Sequence, residues 1–207
     1  MAENGFSAGR RSGAPCDARV DRATRRVHGA GVGQDLSELF DVVDERDCVI
    51  GRAPRGEVHA RGLRHRAVHV FVTNRSGQVF LHQRSLTKDT FPGLWNSSCA
   101  GHVGAGDDYD ETVLRELEEE LGCVPAVSPR RLFKIEARPE TGEEFVWVYR
   151  VEAEGPFALN PAEIQRGDWC SIADVDAWLA ARPEEFARSF LFLWPQVRPS
   201  LTAGGSP

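Results

Sequence analysis

The densest chemistry in the chain lies between Gly101 and Cys123, where Asp107 and Asp108 precede the run Arg115-Glu116-Leu117-Glu118-Glu119-Glu120-Leu121-Gly122. Residues 107 to 120 hold eight acids (Asp107, Asp108, Asp110, Glu111, Glu116, Glu118, Glu119, Glu120) against Arg115, a local charge of −7, whereas the whole chain carries −6. Like charges three and four residues apart on a helix each cost a few tenths of a kcal/mol, so such a run calls for a positive occupant. Hard divalent cations with oxygen ligands meet that need. Mg²⁺ in particular is held by one or two carboxylates, substrate phosphates and retained waters. The spacing points to a metal site for phosphate chemistry.

These carboxylates need a helix to align them. Asp107 and Asp108 are capping residues, no proline interrupts 109 to 121, and Gly122 is a left-handed stop. At roughly 100° per residue, Val113, Leu114, Leu117 and Leu121 form one apolar stripe that seeks the core. Glu116, Glu119 and Glu120 fall along its edge, with Glu111 and Glu118 roughly opposite them. A solvated acidic face is the bland reading of such a helix, and fixed residues outside it decide between the two.

A glycine six residues before Asp107 (Gly101), an acid eight before Arg115 (Asp107), then Arg-Glu, an apolar residue, Glu-Glu and Gly122 together resemble the Nudix hydrolase signature. The family has Glu where this chain has Asp107, and an aliphatic residue where it has Cys123. The resemblance implies that Glu116, Glu119 and Glu120 are ligands of Mg²⁺ (or Mn²⁺), with the Gly101 carbonyl a further ligand. It also implies that Arg115 orients a neighbouring glutamate by a charge-assisted hydrogen bond. Glu119, Glu144 and Glu143 are the candidates for general base.

The remaining elements fit one such domain. Phe40–Asp44 and Cys48–Gly51 read as a hairpin, and Ala67–Val72 and Gln78–His82 as a second pair around Asn74-Arg75-Ser76-Gly77. Trp95–Val103 leads into the acidic helix. Leu132–Ala137 and Phe145–Val151 alternate around 139–142, Trp169–Ile172 is a short strand, and Ile172–Ala181 and Pro183–Leu193 read as helices. This order suits an α/β fold, the Nudix-type α/β/α sandwich with a mixed central sheet. Residues 1–36, rich in Gly, Ala and Arg, are expected to be a disordered extension, residues 37–195 the domain, and 196–207 a tail.

Composition excludes other classes. No run approaches the roughly 18 apolar residues of a membrane span, and the N-terminal arginines lack the apolar core of a secretion signal. Five cysteines without a Cys-x-x-Cys pair argue against a zinc ribbon or disulfide framework, and reduced cytoplasmic thiols are the default. Net negative charge argues against general nucleic-acid binding. The expected partner is a small-molecule diphosphate, with a homodimer among the assemblies allowed.

The resemblance extends to Glu57–His102. His65-Arg66-Ala67-Val68-His69-Val70, Gln83-Arg84-Ser85, Lys88, Pro92-Gly93-Leu94-Trp95-Asn96 and Gly101-His102 look like the Nudix branch containing the type I isopentenyl diphosphate isomerases. In those enzymes the catalytic cysteine stands immediately before Gly-His, where this chain has Ala100. Cys99 is one residue earlier, which on a strand turns it to the opposite face. With Glu119 and Glu120 also intact, a phosphoanhydride hydrolase is the better reading. An isomerase, or a catalytically silent nucleotide-binding module, is the alternative. By the same resemblance Arg84 and Lys88 hold the diphosphate. His59, His65 and His102 correspond loosely to the isomerase's metal-binding histidines and are assigned structural or substrate-contact roles. Phe91, Trp95, Phe145 and Trp147 could stack on a base, or could equally be core.

Overall fold

The computed structural model describes residues 35–202, so the expectation for residues 1–36 falls almost wholly outside them. Strands β1 (Leu39–Val43) and β2 (Val49–Pro54) form an antiparallel hairpin and lead into a seven-residue helix, α1 (Arg55–Arg61). Then come β3 (His65–Thr73), β4 (Gln78–Arg84), β5 (Trp95–Asn96), β6 (Cys99–His102) and the acidic helix α2 (Tyr109–Leu121). The chain ends with β7 (Arg130–Ile135), β8 (Glu144–Glu152), β9 (Ile164–Ser171), α3 (Ile172–Ala181) and α4 (Arg188–Thr202).

Seven strands make one mixed sheet in the order β5-β4-β3-β8-β7, with β6 paired to β3 and β9 to β4. The parallel pair is β3 with β8, running from His65 opposite Glu144 to Thr73 opposite Glu152. Alternation along β3 assigns the two faces. Val68, Val70 and Val72 pack with Val113, Leu117 and Leu121 of α2, while Ala67 and Phe71 pack with Phe190, Leu193 and Trp194 of α4. The architecture is the expected α/β/α sandwich.

Three local expectations change. Leu114, placed in the buried stripe by the helical wheel, is 46% exposed; it sits at the far edge of that arc, and Thr112, Glu116 and Glu120 are buried in its stead. The α1 helix had no counterpart in the sequence reading. The segment Pro183–Leu193 divides into a 3₁₀ turn at Pro183–Glu185 and the start of α4, which runs on through Pro195 and Pro199 into the residues expected to be tail. A proline inside a helix costs about 3 kcal/mol. Burying Phe190, Leu193, Trp194, Val197 and Leu201 against the sheet, at roughly 1.5–3 kcal/mol for each large apolar side chain, outweighs both.

Candidate active site

Helix α2 is held at both ends. Asp108 is the N-cap, its Oδ1 accepting from Glu111 N at 2.8 Å. Gly122 adopts φ 60° at the C-terminus, where its N–H and that of Cys123 reach the carbonyls of Glu118 and Leu117. This fixed rotation buries Glu116 and Glu120 and leaves Glu119 half-exposed. Burial, with Glu119 and Glu163 nearby, pushes the Glu116 carboxyl up to about 7 despite the opposing Arg115 charge. Burial, then Glu116 and Glu163, hold Glu120 well above the usual carboxylate range against the charges of Lys88 and Arg84. The Ala100 N–H, 3.4 Å from Glu120 Oε2, is a weak substitute for a counter-ion. Two buried carboxylates short of positive charge are what a divalent cation would satisfy.

Strand β6 fits against this pair. Gly101 has no room for a side chain: a Cβ there would lie 2.0 Å from the Glu116 carboxyl carbon. Arg115 bridges Glu116 Oε1 at 2.9 Å and Glu119 Oε2 at 3.3 Å, and its other amino group donates to the His102 carbonyl at 3.1 Å. Cys99 is fully buried in the core beneath α2, whereas Ala100, opposite His69 in the ladder, lines a cavity of about 280 Å³ on the other face. A thiol in the Cys99 position cannot serve that cavity.

At the end of the cavity His59, His65 and His102 converge, with ligand atoms all within 4.8 Å of one another. Helix α1 supplies His59, β3 supplies His65 and β6 supplies His102. Glu144, first residue of β8, sits 3.0 Å from His102 Nε2 and 3.6 Å from His65 Nε2. Burial raises the Glu144 carboxyl, but the bond from His102 and the adjacent His65 overcome it and hold the group well below the usual carboxylate range. Burial likewise lowers His102 to about 3 and lowers His59, which keeps both rings neutral. His65 Nδ1 lies 2.9 Å from the Leu63 carbonyl and must donate to it. Its Nε2 is buried without a hydrogen-bond partner, 3.6 Å from a carboxylate oxygen. Three imidazoles with one carboxylate are a transition-metal donor set. Arg55 Nη1, 3.0 Å from His102 Nδ1, can only donate. In this arrangement His102 Nε2 carries the hydrogen, so ligation through it would require Arg55 to turn toward Asp89, 3.4 Å away.

Residues 63–191 match the NUDIX domain family. The chain belongs to the Nudix hydrolase family. It is 38% identical over 175 residues to an uncharacterized Nudix hydrolase of Streptomyces coelicolor, covering 84% of this chain and 90% of that protein. An isopentenyl-diphosphate Delta-isomerase of Burkholderia multivorans is 31% identical over 154 residues, 73% of this chain and 88% of that one. The crystal structure of the Deinococcus radiodurans protein DR0079 matches with a TM-score of 0.68 at 31% identity, covering 80% and 99% of the two chains.

On this Nudix frame the expected residues divide into two groups. Arg115, Glu116, Glu119, Glu120 and Gly101 come together. Glu144, expected among the bases, bonds to the histidines. Arg84 lines the cavity, its guanidinium held by the Thr90 carbonyl at 2.9 Å and hydroxyl at 3.1 Å. Lys88 is nearly buried and ion-paired with Glu163. Glu163, unmarked by any local pattern, lies in the loop before β9 with its charge felt by Glu116, Glu120 and Arg84. It follows Glu120 by 43 positions (163 − 120) with no motif around it, so only the pairing of β4 with β9 brings it in. The signal for α1 was faint: Pro54 before it and Gly62, with φ 60°, after it. Cys99, Cys123 and Cys170 are free thiols. Among the described residues no helix is long and apolar enough to cross a membrane.

Proposed function

We propose that this protein is a Mg²⁺-dependent (or Mn²⁺-dependent) hydrolase that cleaves the phosphoanhydride bond of a small diphosphate metabolite. The observation carrying the proposal is the pair Glu116 and Glu120, both buried and pushed up by burial, with Gly101 at a position where any side chain would collide with Glu116. Glu116, Glu119, Glu120 and the Gly101 carbonyl would hold the ion. When bound it offsets charge on phosphate oxygens and acidifies water. Arg115 fixes the rotamers of Glu116 and Glu119 and ties them to the His102 backbone. Glu119, the accessible member, takes the proton of the attacking water. Arg84 and Lys88 bind phosphate oxygens, with Lys88 drawn from Glu163 as substrate enters. The histidines and Glu144 form a second cation site, a reading favoured by the orphaned His65 Nε2.

Hydrolysis is preferred over isomerisation because Ala100 faces the cavity and Cys99 the core. Intact carboxylates favour an enzyme over a silent binding module. The test is release of phosphate or monophosphate from a diphosphate panel by the wild type and Glu120→Gln. The expected result is Mg²⁺-dependent release that the variant loses; identical behaviour of the two proteins across the panel refutes the proposal. Interconversion of the five-carbon diphosphates without phosphate release would instead establish an isomerase.

A further inference from the structure

The cavity beside Ala100 has two polar wall residues that the protein itself leaves unanswered. His69 is 4% exposed. Ser97 Oγ gives its hydrogen to the Cys99 carbonyl at 3.2 Å and therefore receives one from His69 Nδ1 at 2.9 Å. Burial lowers this histidine to about 4, so the ring is neutral and its Nε2 is a lone pair. Among the described residues that atom has no hydrogen-bond partner, and it is not one of the fully buried orphans, so it opens onto the cavity that the side chain lines. Asn96, 3% exposed and in the same wall, has its Oδ1 buried without a partner. Beside them the wall is apolar at Ala67, Ala100 and Phe91, with Arg84 and Thr90 further along it.

A polar atom left unpaired once a ligand covers it is costly, and a site built around such atoms rejects ligands that cannot pair them. We propose that His69 and Asn96 are specificity-determining residues that read the organic half of the substrate. The cavity accepts a diphosphate whose non-phosphate portion offers His69 a hydrogen-bond donor and Asn96 a polar edge, and it discriminates against hydrocarbon diphosphates. Ser97 is a positioning residue that holds the His69 tautomer. The inference rests on the hydrolase reading for its kinetic test and is independent of it for binding.

The kinetic test compares wild type, His69→Phe, His69→Gln and Ser97→Ala on uridine diphosphate, cytidine diphosphate, isopentenyl diphosphate and inorganic pyrophosphate. His69→Phe should lower kcat/KM about tenfold or more on the better nucleoside diphosphate, mainly through KM, and leave the other two substrates within about threefold. His69→Gln, which keeps an acceptor, should recover part of the loss, and Ser97→Ala should fall between. A uniform loss across the panel, no loss anywhere, or fastest wild-type hydrolysis of isopentenyl diphosphate overturns the proposal. Calorimetric titration of the full chain with uridine and cytidine 5′-monophosphates needs no turnover and so separates this inference from failure of the hydrolase reading. Binding weakened about tenfold in His69→Phe supports it; equal binding by both proteins, or no binding by wild type, overturns it.

Discussion

Replacing Gly101 by alanine isolates the carboxylate site. The added Cβ would sit 2.0 Å from the Glu116 carboxyl carbon and 2.2 and 2.4 Å from its two oxygens, against an ordinary contact of 3.4 Å or more. Glu116 must therefore move by about 1.4 Å (3.4 − 2.0). The obstacle is the far end of a flexible side chain, so the backbone need not shift and the fold should lose only about 1 kcal/mol, the low end for overpacking. For a domain of this size that is roughly 2–4 °C in Tm. Function should suffer more. A displacement of about 1 Å in a group that positions the reaction can cost on the order of a hundredfold, and Arg115 would lose the partner it holds at 2.9 Å. The assay is phosphate release at saturating Mg²⁺ alongside thermal unfolding, with Gly51→Ala, which meets nothing within 4 Å, as control. The expected pattern is about a hundredfold fall in kcat/KM with a small change in Tm. Activity within about twofold of wild type would refute the placement of Glu116 at the centre of the site.

Other perturbations test different parts of the argument. Glu163→Gln leaves the nearly buried Lys88 without its ion-pair partner, a loss larger than the relief of the charge that raises both buried glutamates, so thermal melts in EDTA should show a metal-free protein destabilised by about 2 kcal/mol; an unchanged or higher Tm contradicts it. Cys99→Ala should cost about 1–2 kcal/mol in urea unfolding through a small core cavity and leave phosphate release within about twofold; abolished turnover would return the thiol to the chemistry. His82 is held at about 3, chiefly by burial. The unfolded chain therefore binds its proton first, and stability is lost as pH falls below about 6.5. At about 1.4 kcal/mol per unit, His82→Gln should reduce the stability difference between about pH 7.5 and pH 5 by about 2 kcal/mol in metal-free urea titrations. An undiminished difference would show that His82 is not buried neutral.

Helix α2 was legible because three signals agreed there: a capping aspartate, a 3.6-residue apolar period and a terminal glycine. Strands β3 and β8 were legible from alternation. The tail was misjudged because Pro195 and Pro199 act locally as helix breakers, whereas the burial that overrides them comes from a sheet no local rule contains. The partners of Glu144 were hidden for a similar reason. Its partners are decided by the parallel register that sets it opposite His65, a separation of 79 residues (144 − 65). Glu163 had no local pattern at all and reaches the glutamates only through tertiary placement.

Strand β6 carries a consequence for how such proteins could diverge. Cys99, Ala100, Gly101 and His102 are consecutive, yet they serve the core beneath α2, the cavity, the carboxylate pair and the histidine group in turn. Slipping the strand by one residue would bring the Cys99 thiol to the cavity wall and carry Gly101 away from Glu116. Whether a thiol is offered to the substrate is thus a matter of phase along four residues, with no new side chain required. The same economy leaves this segment unable to absorb an insertion or deletion without exchanging one chemistry for another.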